Sequence, residues 1–375
     1  MMRTMGVEEE LLLVDAQSGE VRSSAETVLR TDSRDLLSGE LQQEQIETGT
    51  RPRTDLSDVH TEIVELRRHG NRAAAEIGAR IAALGTSPLV VAPRTAPHAR
   101  YQKIVERFAI TASEQLTCGF HVHVGVEDDE QGVAALDRVR VWLPTLLALS
   151  ANSPFWQGAD TSYASFRSQS WSRWPSAGPT PIFGTAQNYH ALVRRLIESG
   201  TVLDEGMIYF DARLSAHYPT VELRAADVCR RPQDATLLAG LARGLVETAI
   251  REWQAGRPAS DMPTELLRVA TWRAARSGLE GELVQPSTGR PAPAVEVVAA
   301  LLDHIRAALS DAGDLGVVKD LLGILLDRGN GARAQRETFT RTQNLNAVVL
   351  EAVTDGSSQD GLPGTVLRTP PADRR

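Results

Sequence analysis

The stretch CGFHVHVG, residues 118–125, alternates apolar residues with histidines. This period-two alternation predicts a β-strand, in which His121, His123 and Gly125 share one face and the apolar residues between them share the other. The apolar face is suited to a protein core. The opposite face carries two imidazoles one residue apart, which makes it a candidate for metal binding or catalysis. The segment therefore predicts a sheet with one packed face and one active face.

The composition is that of a globular protein. The chain has 375 residues, 42% of them hydrophobic and 23% charged, which is enough for a large core. A net charge of -8 argues against a general nucleic-acid binder, although 40 Lys plus Arg leave room for a local phosphate pocket. Cys118 and Cys229 are too few for a disulfide framework and suit a reducing compartment.

The chain is expected to be soluble and cytoplasmic. The N-terminal stretch MMRTMGVEEELLLV places three glutamates where a signal peptide would need its apolar segment. No later apolar run approaches the ~20 residues of a membrane helix. We therefore expect small-molecule substrates, with neither a membrane nor a nucleic acid as partner.

The order of strand and helix patterns predicts an α+β fold. The first half predicts strands at 6–15, 41–50 and 118–127 and helices at 55–85 and 128–150. A long aromatic and Arg-rich loop follows at 153–185, and two alternating stretches at 207–215 and 220–228 form an antiparallel hairpin. The remaining patterns predict amphipathic helices at 232–253, 263–276, 293–309, 314–328 and 331–354. We expect one domain, 1–354, and a disordered tail, 355–375.

Acidic residues cluster on two of the predicted strands. In GVEEELLLV, Glu8 and Glu10 share a face, while Glu9 lies with the apolar residues on the other. Paired carboxylates repel each other unless a cation intervenes, so a metal site is one interpretation and a solvent-facing edge is the other. Glu40 and Glu47 point to opposite faces of a regular strand, so their joint use requires a bend or bulge.

The predicted hairpin alternates acid and base. Asp211 and Arg213 share a face on its first strand, and Glu222 and Arg224 share one on the second. Four charges beneath a layer of helices are costly unless they pair with one another or with a ligand or metal. A structural ladder of ion pairs is the alternative interpretation.

The two histidines alone leave the chemistry open. His121, His123 and Glu127 resemble part of the cupin metal motif, and hydrolases of the amidohydrolase type also begin with H-x-H. The glycines that flank the cupin motif are missing, and the helix-rich second half does not suit a small β-barrel. A metal-dependent hydrolase using Zn²⁺ or Fe²⁺ therefore remains an alternative at this stage.

Six motifs in order resemble the bacterial carboxylate-amine ligase family of the glutamate-cysteine ligase 2 type, from about residue 2 to 340. They are GVEEELLLVD, QQEQIETGT, CGFHVHVGV, WPSAGPTPIFGT, YFDARLSAHYPTVELRAADV and WRAARSGLEGEL. The resemblance implies a curved antiparallel sheet that forms a funnel with helices outside, similar to the catalytic domain of glutamine synthetase. It also implies an ATP-dependent reaction that joins the γ-carboxylate of glutamate to an amine, through an acyl phosphate. Cysteine is the expected amine, with a different amine as the alternative.

The resemblance also implies roles for individual residues. Mg²⁺ contacts are expected from Glu8, Glu10, Glu40, Glu47, His121 and Glu222. Arg224 would stabilise the transferring phosphoryl group, with Arg213 as its counterpart across the hairpin. Substrate or nucleotide contacts are expected from His123, Arg167, Trp171, Arg173 and Asp211. ATP and Mg²⁺ are the implied cofactors, and a homodimer is the implied assembly.

Overall fold

The computed structural model describes residues 2–357 and 361–363. Within them, the strands follow the chain as β1 (Met5–Asp15), β2 (Leu37–Gly39), β3 (Gln45–Gly49), β4 (Ala79–Ala82), β5 (Gly119–Gly125), β6 (Phe155–Trp156), β7 (Ala159–Asp160), β8 (Ala212–Leu214), β9 (Thr220–Asp227), β10 (Glu282–Val284) and β11 (Pro291–Pro293).

The helices are α1 (Ala25–Thr31), α2 (Leu56–Ala75), α3 (Ala99–Phe108), α4 (Ile110–Ser113), α5 (Asp129–Val139), α6 (Leu143–Ser150), α7 (Phe166–Trp171), α8 (Ala186–Glu198), α9 (Pro232–Gln254), α10 (Thr264–Ser277), α11 (Ala294–Asp311), α12 (Leu315–Arg328), α13 (Gly331–Thr342) and α14 (Leu345–Gly356). A short 3₁₀ helix covers Glu205–Met207. None of the described helices combines the length and the apolar surface needed to cross a bilayer.

A seven-stranded antiparallel sheet organises the molecule. Its strands are ordered β2–β3–β1–β5–β9–β8, and the sheet is open. The eleven-residue strand β1 is at its centre, with β3 along one edge. The other edge of β1 is shared by two strands, because β5 pairs with the first half of β1 and β4 pairs with the second half. The predicted α+β class, with an antiparallel sheet flanked by helices, is confirmed.

The packed face of β5 is the predicted one. Phe120, Val122 and Val124 are each at most 3% exposed and join the larger of the two main apolar clusters. The long helix α9 contributes to the same cluster. It begins with Pro232, which has no backbone N–H that would need a hydrogen-bond partner at this position. A second cluster surrounds the far end of β1 and contains β4. Because the apolar residues of β5 face this core, its histidines face away from it.

Glu9 shows the same alternation on β1. Its side chain points to the helical side of the sheet and forms a bidentate ion pair with Arg67 of α2, at 2.6 and 2.8 Å. Both side chains are at most 2% exposed. Arg67 also donates to the carbonyl oxygens of Cys229 and Arg230. The predicted separation of Glu9 from Glu8 is confirmed, since Glu9 belongs to the structural face.

The helix predicted for 55–85 was too long. Helix α2 ends at Ala75, and Gly78, with φ 71°, turns the chain into β4. The apolar run ARIAAL fits either a buried helix or a strand by pattern alone. Strand pairing decides between them, because β4 covers the edge of β1 that β5 leaves free.

Other boundaries also needed correction. The strand predicted for 41–50 is confined to β3, and the helix predicted for 128–150 is two helices, α5 and α6. The helix predicted for 331–354 is divided into α13 and α14 at Gln343, whose φ of 52° is left-handed. The long loop at 153–185 contains α7 and the small β6–β7 hairpin.

The predicted tail began too early. Asp355 and Gly356 belong to α14, and Asp355 forms ion pairs with Arg230 and Arg231 at 2.5 and 2.9 Å. The rest of that prediction includes 358–360 and 364–375, which lie outside the described residues.

Candidate active site

Strand register brings the predicted polar residues together on one face of the sheet. Glu8 of β1 lies opposite His121 of β5, and Glu10 lies opposite Glu47 of β3. His123 lies opposite Glu222 of β9. Because cross-strand partners are about 5 Å apart, this register alone assembles acids and imidazoles from four strands into one cluster. We call this set, with Glu40 added below, the acidic face.

Glu40 reaches the acidic face through a turn. The residues between β2 and β3 reverse the chain, so that carboxylate oxygens of Glu40 and Glu47 lie within 4.8 Å of each other. The bend that Glu40 and Glu47 need in order to reach the same face is therefore present. It occurs as a turn between two short strands, and not as a bulge within one strand.

The acidic face offers three overlapping groups of ligand atoms. Each group brings three side-chain atoms within 4.8 Å of one another. The groups are Glu8 with Glu47 and His121, Glu8 with His123 and Glu222, and Glu10 with Glu40 and Glu47. All seven residues are ones that the sequence selected.

Like charges dominate the side of the face that β3 forms. Burial and the neighbouring Glu10 raise the pKa of Glu40 to about 7. Burial and the charges of Glu40, Glu8 and Glu10 raise the pKa of Glu47 well above its ordinary value. A divalent cation would relieve this repulsion, so the carboxylates fit a metal that prefers oxygen ligands.

Positive partners dominate the opposite side. Burial raises the pKa of Glu8, but hydrogen bonds from His121 and His123 outweigh it and hold that pKa below its ordinary value. His121 Nδ1 lies 3.1 Å from Glu8 Oε2, and His123 Nε2 lies 3.2 Å from Glu8 Oε1. The buried His121 Nε2 has no hydrogen-bond partner among the described residues. Burial and Arg224 lower the pKa of His121, which favours the neutral form that can bind a metal.

Glu222 lies between two arginines. Arg213 donates to it from β8 at 2.6 Å, and Arg224 donates to it from two residues along β9. Burial would raise the pKa of Glu222, but Arg224 and Arg213 outweigh burial and lower it to about 2. Three charges of the ladder that the sequence suggested therefore pair, whereas the Asp211 carboxylate forms no ion pair among the described residues. The paired residues lie at the edge of the acidic face.

A cavity of about 390 Å³ opens beside the acidic face. It lies between α7 with its following loop, the β8–β9 hairpin and α10. The predicted residues Arg167, Trp171, Arg173 and Asp211 all line it, and so does Arg224. The cavity therefore connects Arg224 of the hairpin with the loop that the sequence selected.

Arg167 is the most deeply placed of these residues. It is 2% exposed, its guanidinium lies over the Trp171 ring at 5.7 Å, and its nearest carboxylate is Asp227 at 3.9 Å. A Cβ built on Gly119 would overlap Arg167 Nη2 and lie 3.2 Å from His121 Nε2. Arg167 therefore reaches the acidic face. Arg173, in contrast, is partly exposed and pairs with Glu114 at 2.8 Å.

Sequence reasoning missed Arg268, Asp227 and Gly119. Arg268 of α10 lines the cavity but belongs to a helix with no motif at that position. Asp227 is fully buried and accepts hydrogen bonds from Asn152, Ser153 and Ser165. The alternation of β9 could have drawn attention to Asp227, because an acid there ends an otherwise apolar set. No sequence pattern indicated a role for Gly119, because only the fold brings Arg167 against it.

Residues 328–337, around the start of the helix predicted for 331–354, contribute to packing. Asn330 caps α13 through its own side chain, and Gln335 donates to the carbonyl and side-chain oxygens of Asn152. Asn152 in turn donates to Asp227, which lies beside Arg167. Helix α13 begins at Gly331, where the helix predicted for 331–354 begins, and its Gln335 holds the Asn152 that contacts Asp227.

Comparison with known proteins agrees with this geometry. A model of "Glutamate-cysteine ligase family 2 (GCS2)" matches residues 4–359. The chain belongs to this family. It is 53% identical over 357 residues to "Putative glutamate--cysteine ligase 2-1" of Streptomyces avermitilis, with 94% of this chain and 99% of the relative covered. A Streptomyces coelicolor protein, "Putative glutamate--cysteine ligase 2", is 52% identical, with 94% and 98% covered. The chain is thus a carboxylate–amine ligase, and the hydrolase alternatives give way to this class.

Solved structures share the fold. A bifunctional glutathione synthetase from Pasteurella multocida aligns with a TM-score of 0.69 at 16% identity, covering 94% of this chain and 52% of that one. A glutamate–cysteine ligase from Francisella tularensis, solved in complex with AMP, aligns with a TM-score of 0.67 at 14% identity, covering 95% and 88%. The open antiparallel sheet with flanking helices is therefore the fold of glutamate–cysteine ligases.

Proposed function

We propose that this ligase joins the γ-carboxylate of L-glutamate to the amino group of L-cysteine, while ATP becomes ADP and phosphate. A carboxylate is a poor acyl donor, so it is first phosphorylated to γ-glutamyl phosphate, and the amine then displaces phosphate. One observation carries the proposal: acids and histidines from four strands converge on one sheet face, directly beside a cavity lined by arginines. We also propose that 1–354 act as a single catalytic domain.

The acidic face is where Mg²⁺ is held. Its proposed ligands are Glu8, Glu10, Glu40, Glu47, His121 and Glu222, and crowded carboxylates with raised pKa values support this assignment. Bound there, Mg²⁺ supplies positive charge to the phosphate oxygens of ATP. The oxygen-rich ligand set favours Mg²⁺ over softer metals.

Arg224 and Arg213 act on the transferring phosphoryl group. Both guanidiniums already donate to Glu222, so they are fixed before a substrate enters. Fixed cations at the position where negative charge develops lower a barrier without reorganisation during the reaction. Burial would lower the pKa of Arg224, but Glu222 and Glu10 raise it, which keeps the guanidinium charged.

Glutamate is held between the acidic face and the cavity. Arg167 is the proposed partner of its α-carboxylate, because this buried guanidinium has no carboxylate within hydrogen-bond distance among the described residues. Trp171 stacks beside Arg167 and against Tyr209, which holds the wall of the cavity in place. His123 faces Glu222 and contributes to the nucleotide side, and Arg173 lies at the mouth.

The experiment that tests the function is product identification by mass spectrometry. The protein is incubated with glutamate, ATP, Mg²⁺ and a panel of amines that includes cysteine. We expect ADP release that depends on the amine, together with a γ-glutamyl product. Chelation of the metal should abolish both signals. A protein that turns over no amine in the panel would contradict the proposal.

Matched variants separate the site from the scaffold. Glu222→Gln should lower kcat by a factor of about 10³, because it removes the anion that orients both arginines. Glu26→Gln is the control, since Glu26 forms only an exposed pair with Arg30 on α1. Equal activity of the two variants would remove Glu222 from the site.

We further propose a cytoplasmic homodimer. The cytoplasm supplies ATP and glutamate, and the free thiols of Cys118 and Cys229 fit a reducing compartment. Light scattering after gel filtration should give twice the chain mass of 40.7 kDa. A mass of one chain at assay concentration would overturn the dimer.

A further inference from the structure

The cavity beside the acidic face contains a carboxylate that the reaction described above does not use. Asp211 is the only acid among the described residues that line the cavity, whose other charged residues are Arg167, Arg173, Arg224 and Arg268. Its carboxylate has no hydrogen bond and no cation within 4 Å in the described part of the chain. An acid in this setting is available to a ligand.

Arg268 faces the same cavity from α10. The guanidinium of Arg268 has no hydrogen bond or ion pair among the described residues. Its positive charge lowers the pKa of Asp211, although burial outweighs this effect. Among the other arginines of the cavity, Arg173 pairs with Glu114 and Arg224 pairs with Glu222, while Arg167 is the proposed partner of glutamate. Asp211 and Arg268 are therefore an acid and a base that are each left without a protein partner.

The position of Asp211 links this pair to the reaction centre. The backbone carbonyl of Asp211 accepts a hydrogen bond from the backbone N–H of Arg224 at 2.8 Å. Arg224 lines the cavity and also contacts Glu222 on the acidic face. A molecule between Asp211 and Arg268 would thus lie beside the proposed phosphoryl site, on the side away from the carboxylates of β1 and β3.

We propose that this cavity binds the incoming amine as a zwitterionic α-amino acid, with Asp211 receiving its ammonium group and Arg268 its carboxylate. This inference rests on the proposed function and deepens it. It assigns the two charged groups of the acceptor to named side chains. It also gives Asp211 the role of proton acceptor for the attacking nitrogen.

The proton balance is simple. The ammonium group gives one proton to the Asp211 carboxylate and becomes an amine with a free electron pair. That nitrogen attacks the γ-carbonyl carbon of γ-glutamyl phosphate, so that the C–N bond forms and the bond from carbon to the phosphate oxygen breaks. The nitrogen's second proton leaves with the phosphate as HPO₄²⁻, and its third remains on the amide. Asp211 then returns its proton to water.

The charge environment suits this role. Burial raises the pKa of Asp211 to about 6, although Arg167 and Arg268 oppose the rise. A base with a pKa near the working pH accepts a proton more readily than an ordinary aspartate while remaining ionised. The positive charge of the four arginines around the cavity also attracts the carboxylate of the amino acid.

The first test uses two acceptors that differ only by a carboxylate, L-cysteine and cysteamine. Arg268→Gln should raise the KM for L-cysteine by a factor of about 10 to 100, the value of a charge-assisted hydrogen bond. The KM values for cysteamine and for glutamate should change by less than about twofold. Arg273→Gln is the control, because Arg273 is on the same helix and pairs with Glu282 outside the cavity.

The second test uses hydroxylamine, a small nucleophile that needs no base near neutral pH and traps γ-glutamyl phosphate as the hydroxamate. Asp211→Asn should lower kcat with L-cysteine by a factor of about 10² and leave hydroxamate formation within about threefold of the original protein. The loss of kcat with cysteine below a pH of about 6 should disappear in this variant.

The outcomes separate the two proposals. Absence of both hydroxamate and γ-glutamyl product with the unmodified protein would overturn the proposed function, and this inference with it. Normal hydroxamate formation combined with equal effects of Arg268→Gln on cysteine and cysteamine would overturn the amino-acid pocket alone. A rise in the KM for glutamate in Arg268→Gln would assign Arg268 to glutamate and also overturn it.

Discussion

Glu40 and Glu47 hold like charges close together, and the consequence can be measured in the metal-free protein. The pKa of Glu40 is about 7 in the folded chain and about 4.5 as an isolated side chain. Between pH 4.5 and 7 the folded state therefore binds more protons than the unfolded state. The contribution of Glu40 to stability is fully present below pH 4.5 and is lost as the pH rises towards 7.

We expect Glu40→Gln to flatten this pH dependence, because an amide cannot ionise. Thermal unfolding with a chelator present, followed from pH about 4.5 to about 8, measures it. Adding Mg²⁺ should stabilise the unmodified protein more at the upper end of this range than at the lower end. Parallel stability curves for the two proteins would contradict the crowding of Glu40.

Gly119 controls the position of Arg167. A methyl group at this position would overlap the guanidinium and approach His121. Because Arg167 is a long side chain, it can move away at small cost in stability, but it then leaves the site. We expect Gly119→Ala to raise the KM for glutamate by a factor of about 10 with little change in the melting temperature.

Gly49→Ala is the matched control for Gly119→Ala. Gly49 also lies in a strand of the sheet, and a Cβ there meets no atom within 4 Å. Its steady-state constants should stay near those of the unmodified protein. A normal KM for glutamate in Gly119→Ala would show that Arg167 does not bind that substrate.

At the scale of elements, β1 separates function from stability by alternation. Glu8 lies on the acidic face with its side chain 30% exposed, whereas Glu9 lies on the helical face in a buried pair with Arg67 of α2. Glu9→Gln should lower the free energy of unfolding by about 3–5 kcal/mol, because it leaves a buried guanidinium without its counter-ion.

Glu8→Gln should change that free energy by no more than about 1 kcal/mol but lower kcat by a factor of about 10² or more. Denaturant titration and steady-state kinetics on the two variants measure the contrast. Adjacent residues with the same chemistry then serve as controls for each other. If Glu8→Gln were the less stable and the more active of the two, the assignment of the faces would be wrong.

The same alternation explains what the sequence could predict. The two-residue period of β1, β5 and β9 is enough to assign Glu8, Glu10, His121 and Glu222 to the polar face. Strand β4 escaped prediction, because its short apolar run continues the pattern of the preceding helix. Glu40 was selected, but its approach to Glu47 depends on a turn that no local pattern specifies.

At the scale of the whole molecule, the cavity is built from three parts of the chain that are far apart in sequence. They are α7 with its following loop, the β8–β9 hairpin and α10. Arg268 and Asp211 line one cavity only because these elements pack around it. Sequence patterns describe faces within one element, so they identified Asp211, while the family resemblance added Arg167 and neither gave a reason to select Arg268.

One side of the sheet contributes mainly to stability, and the other contributes mainly to binding. The larger apolar cluster stabilises the side with α9, and the acidic face holds the crowded carboxylates of Glu40 and Glu47. Substrate and metal binding should therefore stabilise the protein, since they relieve repulsion that the core offsets in the free chain.

The most direct test of the central claim follows oxygen atoms. Glutamate labelled with ¹⁸O in its γ-carboxylate is incubated with ATP, Mg²⁺ and L-cysteine, and the inorganic phosphate is analysed by mass spectrometry. Because the acyl phosphate forms through a γ-carboxylate oxygen, we expect one ¹⁸O atom in each phosphate released. Unlabelled phosphate accompanying a γ-glutamyl product would contradict activation of the γ-carboxylate by phosphorylation.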